Sequence, residues 1–130
     1  MEEFNAGCVL YNNVHQTASV GTPVTATGDS SAPSVNVSSA SGEVVVDCVT
    51  WYNGTATVGA GQTERWKQQD GTAIQDAAAS DEAGAGTVTL SWTKSASGVW
   101  LIAAVPLKPG SATSVSTTPT FEWTNPTGET

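Results

Sequence analysis

The segment Gly59-Ala60-Gly61-Gln62-Thr63-Glu64-Arg65-Trp66-Lys67 carries a glycine pair and two of the chain's four basic residues. Two chemistries compete for it. A phosphate-cradling loop needs successive backbone N–H groups at a helix N-terminus, with Lys and Ser/Thr next in the chain. "GAGQT" lacks that lysine, and the residues after it have the pattern of a strand. Gly59 and Gly61 are therefore read as turn residues free to take positive φ. Arg65 is expected to pair with a carboxylate or to stack on an aromatic ring.

The carboxylates come next. Glycosidases need two positioned carboxyl groups. Asp81 and Glu82 are adjacent, with Asp70 and Asp76 in the same stretch. The expectation is a solvated acidic loop. A calcium site drawing on these four is the alternative, since calcium takes six to eight oxygens, but the spacing is not that of an EF-hand. Asp47 is the anomaly, because it interrupts the apolar run "EVVVDCVTWY" and buried carboxylates are rarely unpaired. It is expected to pair with Arg65, Lys67 or a backbone donor, with exposure at an edge or sheet face as the alternative. The single histidine, His15, sits in polar "NNVHQT", and no GxSxG elbow accompanies it. No catalytic set, cofactor or metal is expected. Cys8 and Cys48 do not make a zinc signature, which needs about four ligands. They are read as two buried free thiols or as one disulfide.

At 130 residues the chain is most simply one domain with one core. A formal charge of -8, with only 12% charged residues, gives a surface that repels phosphate backbones. Arg65 and Lys67 are flanked by Glu64 and Asp70, so no basic stripe exists, and neither nucleic acid nor an anionic membrane is an expected partner. The longest apolar run, "VWLIAAVPL", falls short of the ~20 residues of a membrane span. The acidic start, Met1-Glu2-Glu3-Phe4, is unlike a secretory signal. The expectation is a chain not exported by that route, or one missing an upstream portion.

The elements that must position these groups read as strands. Candidates are residues 5–11, 23–27, 34–38, 43–52, 62–68, 86–93 and 99–107, separated by Gly, Ser, Asn, Asp and Pro. In "GTVTLSWT", Val88, Leu90 and Trp92 face one way and the threonines the other, as in a half-buried antiparallel strand. "VWLIAAV" is apolar on both faces, as a central strand covered on two sides would be. "SASG" between them is read as a hairpin connection. Residues 72–83 hold the only run of helix formers. Gly71 and Gly84 border it, and it is expected to be a loop with at most one turn. The sum is an all-β, antiparallel β-sandwich, jelly-roll or immunoglobulin-like, over residues 1–108. Residues 109–130 form an extended Ser/Thr/Pro-rich tail, in which Phe121 and Trp123 are spaced to share a face.

The segments "GEVVVDCVTW", "TVGAGQTERW" and "ASDEAGAGTVTLSWTKSASGVWLIAAVPLKP" resemble a family of small β-sandwich domains found in phage virion proteins and secreted bacterial surface proteins. The match covers residues 41–109 well and 8–38 loosely. It is specific for fold and implies no shared active site. Family domains have further strands upstream. The resemblance therefore implies that a partner, another copy or an extended arm supplies them, with Phe121–Trp123 as the candidate arm.

Trp92 and Trp100 are expected in the core. Trp51, Tyr52, Trp66 and Trp123 are read as core or as subunit-interface anchors, Phe121 as an interface group, and the exposed ones as an alternative platform for stacking sugars. The resulting expectation is a non-enzymatic virion surface component, head-decorating or tail-associated, whose partners are other copies and other virion or surface proteins. The alternative is a carbohydrate-binding or adhesive domain of an extracellular surface protein.

Overall fold

The computed structural model describes residues 5–70 and 74–110. These hold eight strands and no helix: β1 Val24–Ser30, β2 Ser34–Ser38, β3 Val44–Trp51, β4 Ala56–Val58, β5 Thr63–Gln68, β6 Asp76–Ala83, β7 Thr87–Lys94 and β8 Gly98–Leu107. All pairings are antiparallel. One sheet has the order β1-β8-β3-β6-β5 and the other β2-β7-β4. The two pack face to face as the expected β-sandwich.

The core results from alternation. Val45, Val49 and Trp51 of β3, Trp100, Ile102 and Ala104 of β8, and Ala78 of β6 point inward from the larger sheet. Val35 and Val37 of β2, with Val88, Leu90 and Trp92 of β7, answer from the smaller one. Each large side chain so buried stabilises the fold by about 1.5–3 kcal/mol relative to exposure. Trp51 and Trp100 lie directly opposite each other in the β3–β8 register. The reverse face of the small sheet is polar, and there Thr89 Oγ1 donates to Asn36 Oδ1 at 2.7 Å.

Three expectations need correction. Residues 76–83 are not a loop but β6, which lies between β3 and β5. Propensity is overridden because Ala77, Ala78 and Ala79 are small enough to pack on both faces of an interior strand. The 95–97 connection is not a hairpin, because β7 and β8 belong to different sheets. It is a corner, and buried Lys94 holds it by donating to Gly98 O at 2.9 Å and Ser30 O at 3.4 Å. Burial lowers the Lys94 pKa, partly offset by Asp29. Residues 5–11 are not a strand. They form a strap across the outer face of the five-stranded sheet, and the chain after them runs alongside the end of β8, where Val14 bridges Pro109 and Val20 bridges Leu107.

The outward side chains of β8 differ in exposure along the strand. Leu107, the bridge partner of Val20, is half-buried, whereas Val99 and Leu101 remain 56% and 43% exposed. A strand apolar on both faces is here not a strand covered on both faces.

Gly28 of β1 lies opposite Trp100, and a Cβ there would stand 2.5 Å from the indole ring. The absent side chain makes the seat that lets Trp100 close the core and donate from Nε1 to Ser30 Oγ at 2.9 Å. Gly28→Val should cost about 1–3 kcal/mol through overpacking, read as a lowered midpoint of chemical unfolding with fluorescence from Trp100 shifted to the red.

Candidate functional site

Asp47 is 5% exposed, at the centre of β3 and facing the opposite sheet. Its Oδ1 accepts from the Ser80 backbone N–H at 2.7 Å and from Ser80 Oγ at 2.8 Å. Its Oδ2 accepts from Trp92 Nε1 at 2.8 Å, across the sandwich on β7. The sequence allowed a backbone donor, and one is present. The anticipated Arg65 and Lys67 partners are engaged elsewhere. Burial pushes the Asp47 carboxyl above the usual carboxylate range, against the pull of these three donors.

The network continues through Gln62. Its Nε2 donates to Ser80 Oγ at 2.8 Å, and its Oε1 accepts from the Ser91 backbone N–H at 2.7 Å. Gln62 thus joins the sheets a second time. The Gly59–Gly61 segment is a turn leading into β5, not a phosphate loop, and it places Gln62. Gly61 takes φ +85°, and the Gly59 N–H donates to Ser91 O at 2.8 Å. Gln62 carried no sequence signal beyond its place after a glycine pair.

A second polar cluster lies on the outer face of the same sheet. Asp81, expected to be solvated, is buried in β6. Arg65 grips it with both Nε and a terminal nitrogen, at 2.6 and 2.9 Å. A β-bulge between Glu64 and Trp66 makes this reach available. Tyr11 Oη donates to Asp81 Oδ2 at 2.7 Å, so the carboxylate anchors the strap. Burial, reinforced by this bond, raises the phenol pKa well above its ordinary value and keeps Tyr11 a donor. Lys67 bridges Glu64 at 2.9 Å and Ala56 O at 3.0 Å.

The other acidic residues do not converge with Asp81. Asp76 is buried and its Oδ1 accepts from the Asp70 backbone N–H at 3.1 Å. No three metal-ligating side chains gather among the described residues. His15 serves its own turn, with Nδ1 accepting from the Ala18 N–H at 3.0 Å.

The aromatic candidates separate. Trp51, expected as core or interface, is 1% exposed and its Nε1 donates to Gly54 O at 3.0 Å, so it is core and offers no ring to a partner or sugar. Tyr52 points the opposite way and is 46% exposed. Trp66 lies under the strap, with Gly7 in contact with its indole. Phe121 and Trp123 lie outside the described residues. Cys8 and Cys48 carry free thiols that are exposed rather than buried.

Tyr52 is one corner of an apolar surface. Its backbone N–H donates to Val99 O at 3.0 Å, which sets it beside Val99 and Leu101. The three border a shallow groove with Thr50 and Gln75. Beyond them β1 ends the sheet, with no hydrogen-bonded strand on its far side among the described residues. Comparison with protein-family models, curated proteins and solved structures returned no match.

Asp47→Ala would strand three buried donors and should cost about 3 kcal/mol of unfolding free energy. Asp47→Asn should cost less, since its amide oxygen still accepts while its NH2 confronts a donor. The sign with pH comes from the raised carboxyl. The folded state binds this proton more tightly than the unfolded chain, so the contribution of Asp47 is fullest below the ordinary carboxylate pKa and declines as pH rises through the folded-state value. The stability advantage of wild type over Asp47→Asn should therefore narrow from acid toward neutral pH in denaturant titrations.

Proposed function

We propose that this protein is a non-enzymatic assembly module, working as a surface subunit of a virion by docking against neighbouring copies or other virion proteins. The observation that carries this reading is the apolar face formed by Tyr52, Val99 and Leu101, exposed among the described residues, beside the edge of β1 that no described strand pairs with. Aromatic and aliphatic side chains clustered next to free main-chain donors and acceptors suit association by packing and strand addition. A net charge of -8 and few basic residues leave little role for salt bridges in holding such an assembly together. The buried carboxylates support the same reading. Asp47 and Asp81 spend their acceptor capacity on internal donors. The virion setting rests on the sequence resemblance alone.

A second reading has one observation in its favour. Tyr52 presents an exposed ring beside the polar side chains of Thr50 and Gln75, the pairing of aromatic and amide groups that sugar sites use. On that reading the module is an adhesive or carbohydrate-binding domain at an extracellular surface.

Sedimentation over a concentration series, with wild type and Leu101→Asp, tests the first reading. Reversible self-association or particle binding, weakened at least tenfold by the substitution, is the expected result. A wild type that stays monomeric and ignores purified virion proteins would defeat it. Glycan-array binding that Tyr52→Ala abolishes would move the assignment to the second reading.

A further inference from the structure

We propose that the free edge of β1 pairs with the same edge of a second copy, antiparallel and centred on Thr27, so that two five-stranded sheets join into one continuous sheet. Such a pairing deepens the assembly reading, on which it rests for the presence of neighbouring copies, and gives it a strand, a register and a partner.

Backbone direction along β8 shows which groups of β1 are free. Val99 O accepts from the Tyr52 N–H, toward β3, whereas Pro106 O accepts from the Gly21 N–H, on the side of β1. Alternate residues of an antiparallel strand turn their N–H and C=O to opposite neighbours. Odd-numbered residues of β8 therefore bond β3, and even-numbered ones bond β1. The even-numbered Ala104, Ile102, Trp100 and Gly98 stand opposite Val24, Ala26, Gly28 and Ser30. Thr25, Thr27 and Asp29 are left with their N–H and C=O turned to the free edge, and no strand among the described residues meets them.

Other edges carry guards that this one lacks. On the outer side of β4, the Ala56 N–H donates to Gln69 Oε1 at 2.7 Å and its C=O accepts from Lys67 Nζ at 3.0 Å. β5 is bulged between Glu64 and Trp66 and bears Glu64, Arg65 and Lys67. Bulges and charged side chains keep sheet edges from pairing. β1 runs its seven residues in unbroken register, with no proline, no basic residue and a single acid, Asp29, near its end. β2 also ends its sheet, but with only five residues.

A second copy suits this edge because the edge is its own complement. With Thr27 facing its counterpart, Thr25 meets the partner's Asp29. Thr25, Thr27 and Asp29 then all lie in hydrogen-bonded pairs that exchange two bonds each, about six in total. The Thr25 hydroxyl can donate to the facing carboxylate, and no acid opposes an acid. The two Asp29 carboxylates stand about 13 Å apart along the strands, beyond the screening length of about 8–10 Å near physiological salt. Moving the centre to Ala26 sets Asp29 against Pro23, which has no N–H to give. Moving it to Gly28 halves the spacing of the two acids. A two-fold axis closes the pair, so growth through this edge stops at two copies.

The same pairing unites the apolar faces. Leu101 is the cross-strand partner of Thr27, and Val99 of Asp29. Leu101 thus stands beside the two-fold axis, three strand spacings or about 14 Å from its counterpart. The two exposed patches become one outer surface with the paired threonines between them. A strand pair buries less than the roughly 1,200–2,000 Å² of a stable interface, so the dimer is reversible.

Sedimentation and amide exchange on the full-length protein over a dilution series test the pairing. Wild type should dimerise between micromolar and millimolar concentration. The Thr25, Thr27 and Asp29 amides should gain protection as concentration rises, while those of Ala26 and Gly28, bonded to β8, stay protected throughout. Thr27→Pro removes a donor that the ladder with β8 does not use and should weaken dimerisation at least tenfold. Thr25→Asp, which sets an acid against the partner's Asp29, should weaken it too, and Thr25→Lys should tighten it severalfold. Dimerisation untouched by Thr27→Pro, or protection gained at Ser34, Asn36 and Ser38 instead, would overturn the pairing and leave the assembly reading in place. Protection of Thr25, Thr27 and Asp29 that does not change on dilution would also overturn it, since the edge would then be covered within one molecule. A wild type that stays monomeric at millimolar concentration overturns the pairing, and if it also ignores purified virion proteins the assembly reading falls with it.

Discussion

A carboxylate held away from water between two sheets is the constraint on which much of this molecule depends. Asp47 needs donors, and each donor fixes one element. The Ser80 N–H and hydroxyl fix β6 beside β3. The Trp92 indole fixes the depth at which β7 approaches. Ser80 then recruits Gln62, and Gln62 recruits the backbone of Ser91. A sandwich of valine and tryptophan alone would slide at modest cost, because dispersion is not directional. Charge-assisted hydrogen bonds are directional, and a buried polar network specifies one arrangement when every member is satisfied.

The same economy of small residues organises the exterior. Ala77 and Ala79 keep the outer surface of β6 low, which lets the strap lie across it between Tyr11 and Asn5. Asp81 answers Asp47 from the other side of the sheet, so one strand carries two adjacent polar residues serving opposite faces. One part of the outer surface is thereby enclosed by the chain's own beginning. The part around Val99 and Leu101 is left to whatever apolar group comes to it, and the functional reading is confined to that part.

Most of the core is legible in the sequence, because Val88, Leu90 and Trp92 alternate with threonines and valine runs mark β3. Local pattern does not convey pairing at a distance. Residues 76–83 look like a loop when read locally, since alanine favours helix and "SDE" favours solvent. Only β3 and β5 on either side make them a strand. The corner at residues 95–97 resembles a hairpin because a short run of small residues is neutral between a turn within a sheet and a crossing between sheets. Asp47 announces itself as anomalous, yet its partners sit 33 and 45 positions away. Trp51 and Tyr52, as neighbours in an extended chain, must take opposite faces. Which of them is inward depends on the register with Trp100.

The placement of Asp81 next to Ser80 bears on how the chain finds its alignment. A strand displaced by one residue turns every side chain over. If β6 slid one step along β3 in one direction, Asp81 would stand where Ser80 stands, and two acids would confront each other in a dry interior. In the other direction an alanine would arrive, leaving the charge without its hydroxyl. Both errors are self-rejecting, so the pair acts as a proofreading mark that tells correct alignment from its nearest impostors.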